Sequence, residues 1–261
     1  MARNDRFSLF SDFNCPFCYA LHERLHNINL LTRCDWQGVQ HAPYLPRPMK
    51  AWQGTLAAEL RHEVEMVRRL SPELPLELPG GKPNTGYAIA LAAEQVDRDR
   101  EAGMTLVRAI YRAFWWEGRD ISDPRVLVEL ARDDAPGTHS GNGQRIAGKW
   151  SSAWEATGQY SVPMIVAPDG NQLVGCVPTE MIVDFFAANS VDHKGSGHGH
   201  HEWRPLNVNS AMPDLSSSPR PRVTSRWYCS QVACAKGRVS PSDLPRASAI
   251  PESFAACAAE K

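Results

Sequence analysis

The chain has 261 residues, a formal net charge of −1 and 22% charged side chains. This charge balance argues against nucleic acid or an anionic membrane surface as a partner, and no uninterrupted apolar stretch reaches the ~18 residues of a membrane span. The length allows one large domain, or a moderate domain with an appendage. Composition therefore predicts an ordinary globular protein that binds neither nucleic acid nor membrane.

The first predicted element is a strand over the apolar run at residues 7–10. It leads into two cysteines two residues apart, Cys15 and Cys18, and a helical pattern follows directly. Pro16 fits the first turn of such a helix, because its φ is fixed and its missing N–H removes no helix bond. The unpaired N–H groups and the positive dipole end at a helix N-terminus lower the pKa of a thiol placed there. The spacing therefore predicts redox chemistry, with Cys15 as an exposed nucleophile and Cys18 as the resolving thiol one turn inward.

Two other interpretations of the pair are half of a zinc site and two buried cysteines without chemistry. A structural zinc site usually needs a second ligand pair at a compatible spacing, and the sequence near the pair contains none. The first strand begins within a few residues of Met1, which leaves no room for the apolar core of a secretory signal and predicts a cytoplasmic location. In a reducing cytosol a Cys-x-x-Cys pair is better interpreted as catalytic than as a structural disulfide.

Residues 6–45 are predicted to form a strand, the helix that follows the cysteines, and a second strand over residues 35–40. Three prolines then end this β-α-β unit, and over residues 55–157 the pattern is helical. The apolar stripes of this segment are expected to form core rather than a cofactor site. These stripes are Leu56, Leu60, Val64 and Val67, then Met104, Val107, Tyr111 and Phe114, and finally Ile146, Trp150 and Trp154.

The β pattern returns at residues 162–166 and is followed by turn residues at 168–171. Residues 172–177 can form the returning strand of a hairpin, and a helix is predicted over residues 179–188. A strand-helix-strand half and a strand-strand-helix half are thus separated by a long helical segment. This segment is expected to be an insertion that packs over the sheet.

The composition changes beyond Ser190, where serine and proline are frequent and periodic apolar positions are few. Residues 190–261 are therefore predicted to be a flexible, disordered tail, separate from a folded domain at residues 1–189. An alternative is that the tail binds a metal or a partner through imidazole and thiolate groups, although the glycines around them fix no geometry. Those groups are His193, His198, His200, His201, Cys229, Cys234 and Cys257.

Four segments resemble the DsbA-like branch of the thioredoxin superfamily, particularly its cytosolic FrnE-like members. They lie at residues 11–19, 82–85, 114–123 and 161–163, in the expected order. The similarity spans about residues 6–188. It implies an α/β, thioredoxin-like fold with a large helical insertion, and a protein-disulfide oxidoreductase that works by thiol–disulfide exchange.

The resemblance also implies roles for residues around the cysteines. Pro163 would be a cis-proline beside the pair, and Val162 would offer its backbone to an extended substrate chain, a form of strand addition. Pro16 and Phe17 lie between the cysteines, where they would border the substrate and tune the stability of the thiolate. The strongly oxidising periplasmic relatives have a histidine at the position of Phe17, so a less oxidising pair, suited to reduction or isomerisation, is expected.

Exchange would proceed through a mixed disulfide at Cys15 that Cys18 resolves, with disulfide-containing proteins or small thiols as substrates. No cofactor or metal is predicted, and glutathione is a candidate reductant. The nearest alternative is a glutathione-dependent enzyme of the kappa-class transferase and 2-hydroxychromene-2-carboxylate isomerase group, which shares the fold. Those enzymes typically have serine at the position of Cys15, whereas this chain has the full dithiol.

For five further residues, a purely structural role is an alternative to a functional one. Cys34 and Cys176 are expected to be packing cysteines rather than additional redox thiols. His22 is expected at an exposed helix position rather than in proton transfer. Trp115 and Trp116 are adjacent on a predicted helix, so only one of them can face a groove over the dithiol.

Overall fold

The computed structural model describes residues 6–131 and 141–190. The predicted tail beyond Ser190, with its histidines and its cysteines, lies outside the described residues. The described part of the chain contains one four-stranded sheet with helices packed against it.

The sheet is built from four short strands, β1 (Phe7–Ser11), β2 (Cys34–Gly38), β3 (Met164–Val166) and β4 (Gln172–Val174). Their order across the sheet is β2-β1-β3-β4. β2 is parallel to β1, whereas β3 is antiparallel to both of its neighbours. The apolar run predicted at the start of the chain therefore forms a central strand.

The helix α1 (Pro16–Asn27) connects β1 to β2, as parallel strands need a crossover of a dozen or more residues. A short 3₁₀ helix at Leu31–Arg33 leads into β2. Because β1 and β2 are parallel neighbours, the residues that follow their C-terminal ends meet at the same edge of the sheet. Cys15 lies at that edge, directly before α1.

Within the described residues, five helices lie between β2 and β3 and one follows β4. The five begin at residue 54 and end at residue 156, so the predicted helical insertion is confirmed with its bounds shifted by one residue. These helices are α2 (Gly54–Leu70), α3 (Gly86–Arg98), α4 (Arg100–Trp115), α5 (Pro124–Ala131), α6 (Gly141–Ala156) and, after β4, α7 (Thr179–Ala188).

The hairpin strands are shorter than the sequence pattern predicts, since β3 begins two residues later and β4 ends three residues earlier. β4 ends at Val174 because Gly175 adopts a φ of +90°, a conformation that glycine reaches without steric cost. The Gly175 N–H donates to the Pro163 carbonyl at 2.8 Å. This turn holds the segment that follows β4 against the start of β3.

Aromatic side chains form the core directly beneath the cysteine pair. Phe13 packs against Trp36 at 5.1 Å and Tyr111 at 4.8 Å between ring centroids. Trp115 is fully buried and its indole N–H donates to the Phe13 carbonyl at 2.7 Å, whereas Trp116 is 46% exposed. Trp115 is therefore the tryptophan of the pair that faces inward, and it supports the turn before the cysteines.

The predicted apolar stripes are buried or half-buried, with one exception. Leu56 is 42% exposed, because it lies in the first turn of α2 and the first buried residue of that helix is Leu60. The stripes therefore form core, as their spacing predicts.

The prediction for His22 is wrong, because α1 is covered on this side by α4. His22 is fully buried, with its ring 5.1 Å from that of Tyr111. The neighbouring Glu23 is also buried, and it accepts hydrogen bonds from Arg108 at 2.8 and 2.9 Å and from Arg112 at 3.1 Å. A buried carboxylate is retained here because two guanidinium groups of α4 compensate its charge.

Gly103 lies where α4 passes close to α3. A Cβ atom at this position would lie 2.5 Å from the backbone N and Cα of Val96. We expect Gly103→Ala to lower the free energy of unfolding by about 1–3 kcal/mol, because backbone must shift to admit the methyl group. The matched control is Gly148→Ala in α6, where nothing lies within 4 Å of the added Cβ and a gain of up to about 1 kcal/mol is expected. Urea denaturation measures both variants, and a Gly103→Ala protein as stable as the wild type would contradict this packing.

Candidate active site

The two cysteines occupy the N-terminus of α1. Cys15 is the N-cap residue, and its carbonyl accepts the N–H of Cys18 at 3.1 Å and that of Tyr19 at 3.2 Å. The Cys18 sulfur accepts the backbone N–H of Asp12 at 3.4 Å. No disulfide joins the pair, and the local geometry is the strand-to-helix junction that the spacing predicts.

The expectation of an exposed nucleophile is wrong. Cys15 is only 4% exposed, against 0% for Cys18. Its thiol points at the Val162 carbonyl oxygen, with an S···O distance of 3.7 Å, and the segment before β3 covers it. Cys15 therefore lies beneath the rim of the site.

The Val162–Pro163 segment lies against Cys15, 147 residues away in the sequence. The peptide bond between Val162 and Pro163 is cis. Pro16 is buried as the first residue of α1, and Phe17 is half-buried beside it. The structure thus brings together the residues proposed from the sequence to form the nucleophile, the resolving thiol and the substrate groove.

Sequence reasoning missed a histidine–carboxylate pair at this site. Asp12 follows β1 and is fully buried, and His41 follows β2. The ring nitrogen Nδ1 of His41 lies 2.7 Å from Oδ2 of Asp12, and the backbone N–H of His41 donates to the same oxygen at 2.9 Å. The signal was available, because polar residues after two adjacent parallel strands meet at one edge of a sheet.

A second missed group is the buried lysine of the segment before α3. Lys82 pairs with Glu63 of α2 at 2.9 Å, and its ammonium group lies 5.5 Å from the centroid of the Trp52 ring. Its side chain is 8% exposed, so this charge is held in place rather than solvated. In the sequence, residues 82–85 were notable only for their resemblance to the DsbA-like branch, and no role was predicted for the Lys82 charge.

Hydrogen bonds tie the segment at residues 82–85 to the cysteine turn. Asn14 donates through its side-chain amide to the Pro83 carbonyl at 2.9 Å. Asn84 donates to the carbonyls of Pro43 and Leu45, which belong to the loop that also carries His41. The amide side chains therefore hold three separate segments around one pair of thiols.

The pKa values of the two thiols are shifted in opposite directions. Burial raises the pKa of Cys15, but the hydrogen bond from Cys18 and the charges of His41 and Lys82 outweigh it, so the pKa lies below its usual value. Burial, the same hydrogen bond and the adjacent Cys15 charge together hold the pKa of Cys18 well above its usual value. Cys15 is thus the thiol that ionises first, and Cys18 donates to it.

The two other described cysteines differ from this pair. Cys34 is fully buried, and burial raises its pKa to about 12. Cys176 is half-buried and lies 3.5 Å from a guanidinium nitrogen of Arg24, and burial raises its pKa too. Neither thiol has the lowered pKa that marks a nucleophile, which agrees with packing as their main role.

The described part of the chain contains neither a metal-binding cluster nor a membrane-spanning helix. Within residues 6–131 and 141–190, no cluster of three or more histidine, cysteine, aspartate or glutamate side chains has an arrangement that could hold a metal ion. No helix in the same part of the chain combines the length and the apolar character that crossing a membrane requires.

Comparison with known protein families gives a match over most of the chain. Residues 7–187 match the model of the DSBA-like thioredoxin domain. The chain belongs to this family. The α/β, thioredoxin-like fold with a helical insertion expected from the resemblance is thereby confirmed, and the cysteine pair described above lies within the matched residues. A comparison with curated proteins gives no match.

Solved structures with the same fold include several enzymes. A probable DsbA oxidoreductase from Streptomyces coelicolor superposes with a TM-score of 0.60 at 16% identity, covering 74% of this chain and 92% of that one. A 2-hydroxychromene-2-carboxylate isomerase gives 0.51 at 16% identity, covering 70% and 93%. The cytosolic disulfide reductase DsbM from Pseudomonas aeruginosa gives 0.50 at 17% identity, covering 70% and 95%, and is also solved with GSH. At these identities the likeness shows the shared fold.

Proposed function

We propose that this DsbA-like protein is a thiol–disulfide oxidoreductase with Cys15 as nucleophile and Cys18 as resolving thiol. The observation that carries the proposal is the contrast within the pair. Cys15 sits at the N-terminus of α1, faces the Val162 carbonyl and has a lowered pKa, while Cys18 beneath it has a raised pKa. In exchange by a dithiol, one thiolate attacks the substrate disulfide and the second thiol then resolves the mixed disulfide.

In the first step the Cys15 thiolate attacks one sulfur of a substrate disulfide. A bond forms between Cys15 Sγ and that sulfur, the substrate S–S bond breaks, and the second substrate sulfur leaves as a thiolate that takes a proton from solvent. The Cys15 charge is lost when the mixed disulfide forms. The hydrogen bond and charge interactions that held Cys18 protonated are then removed, so its proton is more easily released.

In the second step the Cys18 thiolate attacks Cys15 Sγ. The bond between Cys15 and the substrate breaks, the remaining substrate sulfur leaves as a thiolate, and a Cys15–Cys18 disulfide forms. The substrate has gained two electrons from the dithiol. One of its two protons came from solvent in the first step, and the other replaces the proton that Cys18 released. Turnover then requires a thiol reductant, and we propose glutathione for this role.

The groove for the substrate is proposed to lie over Val162, Pro163 and the half-buried Phe17. Pro16 fixes the start of α1 beneath it. An extended substrate chain would pair with the backbone of Val162, in the manner of strand addition. Because Cys15 lies below the rim, a disulfide presented on an extended segment or by a small molecule fits this site better than one on a flat protein surface.

The alternative is a glutathione transferase or isomerase on the same fold. The shared fold alone does not favour it, because function depends on the residues at the site and Cys15 with Cys18 supplies a dithiol. Insulin reduction with dithiothreitol as electron source, against conjugation of glutathione to a model electrophile, distinguishes the two activities. Activity in the conjugation assay alone would contradict the proposed function. The cytoplasmic location and the separation of residues 1–189 from a tail at residues 190–261 stay predictions.

Trapping tests the proposed order of the two cysteines. Cys18→Ser keeps an oxygen acceptor for the Asp12 N–H but removes the resolving thiol, so we expect the mixed disulfide at Cys15 to accumulate. Mass spectrometry of the non-reduced adduct identifies the disulfide partner and the attachment site. The control is the double variant Cys15→Ser/Cys18→Ser, which should form no adduct. An adduct that persists in the double variant would place the nucleophile elsewhere.

A further inference from the structure

Two hydrogen bonds join Asp12 and His41. Asp12 is fully buried, and one of its oxygens contacts both the backbone N–H and the Nδ1 atom of His41. A carboxylate only accepts hydrogen bonds, so Nδ1 carries the proton that is donated to it. The imidazole is thereby fixed in orientation, with its Nε2 edge directed away from Asp12. The His41 side chain is 22% exposed.

Asp12 also holds both thiols through its backbone. Its N–H donates to the Cys18 sulfur at 3.4 Å, and its carbonyl accepts the N–H of Cys15 at 3.2 Å. One residue therefore sets the position of His41 and of the two cysteines together. A shift of the imidazole relative to the thiols would have to break contacts at Asp12.

The charges around this pair favour an imidazolium. Burial lowers the pKa of His41, but the Asp12 charge and hydrogen bond outweigh it, and the pKa lies above its usual value. Lys82 opposes this shift and the Cys15 thiolate supports it. Glu63 faces the site from α2, where it neutralises Lys82. Both cations are paired with a carboxylate, Lys82 with Glu63 and His41 with Asp12. Among the charges that raise the pKa of His41, that of Cys15 is the one that changes during the reaction.

We propose that Asp12 holds His41 as an imidazolium whose positive charge stabilises the Cys15 thiolate, so that Asp12 is a positioning residue for the reaction. This proposal rests on the proposed function only for the role of Cys15 as nucleophile. This positive charge lies on the segment that follows β2, whereas the position before Cys18 is occupied by the uncharged Phe17. The imidazolium stabilises the reduced form of the cysteine pair, because its attraction to the Cys15 thiolate is lost when Cys15 enters a disulfide. His41 thus raises the reduction potential above the value that the chain would have without it.

The first test compares His41→Asn with His62→Asn, a matched change at an exposed position of α2. The measurement is the rate of Cys15 alkylation by iodoacetamide as a function of pH, read by mass spectrometry of the Cys15 peptide. We expect His41→Asn to raise the pKa of Cys15 by about one unit, because the His41 charge is one of the interactions that lower this pKa and a nearby opposite charge shifts a pKa by about 1–3 units. His62→Asn should leave the profile unchanged. An unchanged profile in His41→Asn would overturn the proposal.

Asp12→Asn distinguishes a direct effect of the Asp12 charge on Cys15 from an effect that acts through His41, because the two shift the pKa of Cys15 in opposite directions. Removing a nearby negative charge would by itself lower the pKa of Cys15. If Asp12 acts through His41, the amide lowers the pKa of His41, the imidazolium is lost near neutral pH, and the pKa of Cys15 rises. A lowered pKa of Cys15 in Asp12→Asn would therefore reject the positioning role.

A measurement on the wild-type protein keeps the proposal testable if a variant fails to fold. Coupling between two sites is reciprocal, so the Cys15 thiolate must raise the pKa of His41 as much as His41 lowers that of Cys15. We expect the NMR titration of His41 to give a higher pKa in the reduced protein than in the Cys15–Cys18 disulfide form. Equal values in the two forms would overturn the proposal. Neither alkylation nor titration requires a substrate, so loss of the insulin-reduction activity would count against the proposed function alone.

Discussion

Cys15→Ser should reduce insulin at the rate of the uncatalysed reaction with dithiothreitol. Serine fills the same N-cap position and can still donate to the Val162 carbonyl, so the fold is expected to be kept. The alcohol is not ionised near neutral pH and cannot form the mixed disulfide. The reaction therefore loses its first bond-forming step.

The matched control for this change is Cys34→Ser on β2. Cys34 is buried, its pKa is raised to about 12, and its sulfur donates to the Leu30 carbonyl at 3.5 Å. A hydroxyl can replace that hydrogen bond, and the site of exchange lies elsewhere, so we expect insulin reduction close to the wild-type rate. Full activity in Cys15→Ser, or a loss in the folded Cys34→Ser protein, would contradict the assignment of the nucleophile.

Glu23→Gln should lower the free energy of unfolding by about 3 kcal/mol at neutral pH. The Glu23 side chain is 6% exposed and contacts both Arg108 and Arg112, and removing one partner of a buried ionic network leaves the other charges uncompensated. Urea denaturation measures the loss. The control is Glu65→Gln, which removes an exposed pair with Arg68 at 3.0 Å and should cost less than about 1 kcal/mol.

The same interaction predicts how stability depends on pH. Burial raises the pKa of Glu23, but His22 at 3.8 Å and the guanidinium groups of Arg108 and Arg112 outweigh burial and hold the pKa well below its usual 4.5. A depressed folded-state pKa means that the stabilisation is complete above the unfolded-state pKa and is lost as the pH falls through the folded-state value. The difference between wild type and Glu23→Gln should therefore be largest at neutral pH and shrink below about pH 4.5. An equal difference at neutral and acidic pH would show that packing, rather than charge, is lost in the variant.

Much of the fold could be predicted because its signals are local. The helix over Thr179–Ala188 has the bounds that apolar spacing and flanking turn residues indicate, and the helical insertion differs from its predicted bounds by one residue at each end. Strand ends were predicted less well, because they depend on pairing between distant segments. β4 ends where Gly175 turns back to donate to the Pro163 carbonyl, and no local pattern shows that partner.

Exposure was the property that local patterns predicted worst. His22 has charged neighbours in the sequence and was assigned to a solvent face, yet α4 covers it. Cys15 was expected at an exposed helix start, yet the segment at Val162 covers it. In both cases the covering residues, Tyr111 and Val162, lie about 90 to 150 positions away in the sequence. Burial depends on which elements pack together, and the period of a helix shows only which of its residues share a face.

The amino-acid sequence by itself determined the dithiol, its place before a helix and the helical insertion. The signals for these features are the spacing of the cysteines, the proline between them and the period of apolar residues, and each acts over a few neighbouring residues. Folding decided which charges surround that dithiol. Asp12, His41 and Lys82 come from three separate segments, and they meet because the ends of two parallel strands and the loop before α3 converge at one edge of the sheet. A thiol pKa depends on charges within a few ångströms and on burial, and both are properties of the assembled site.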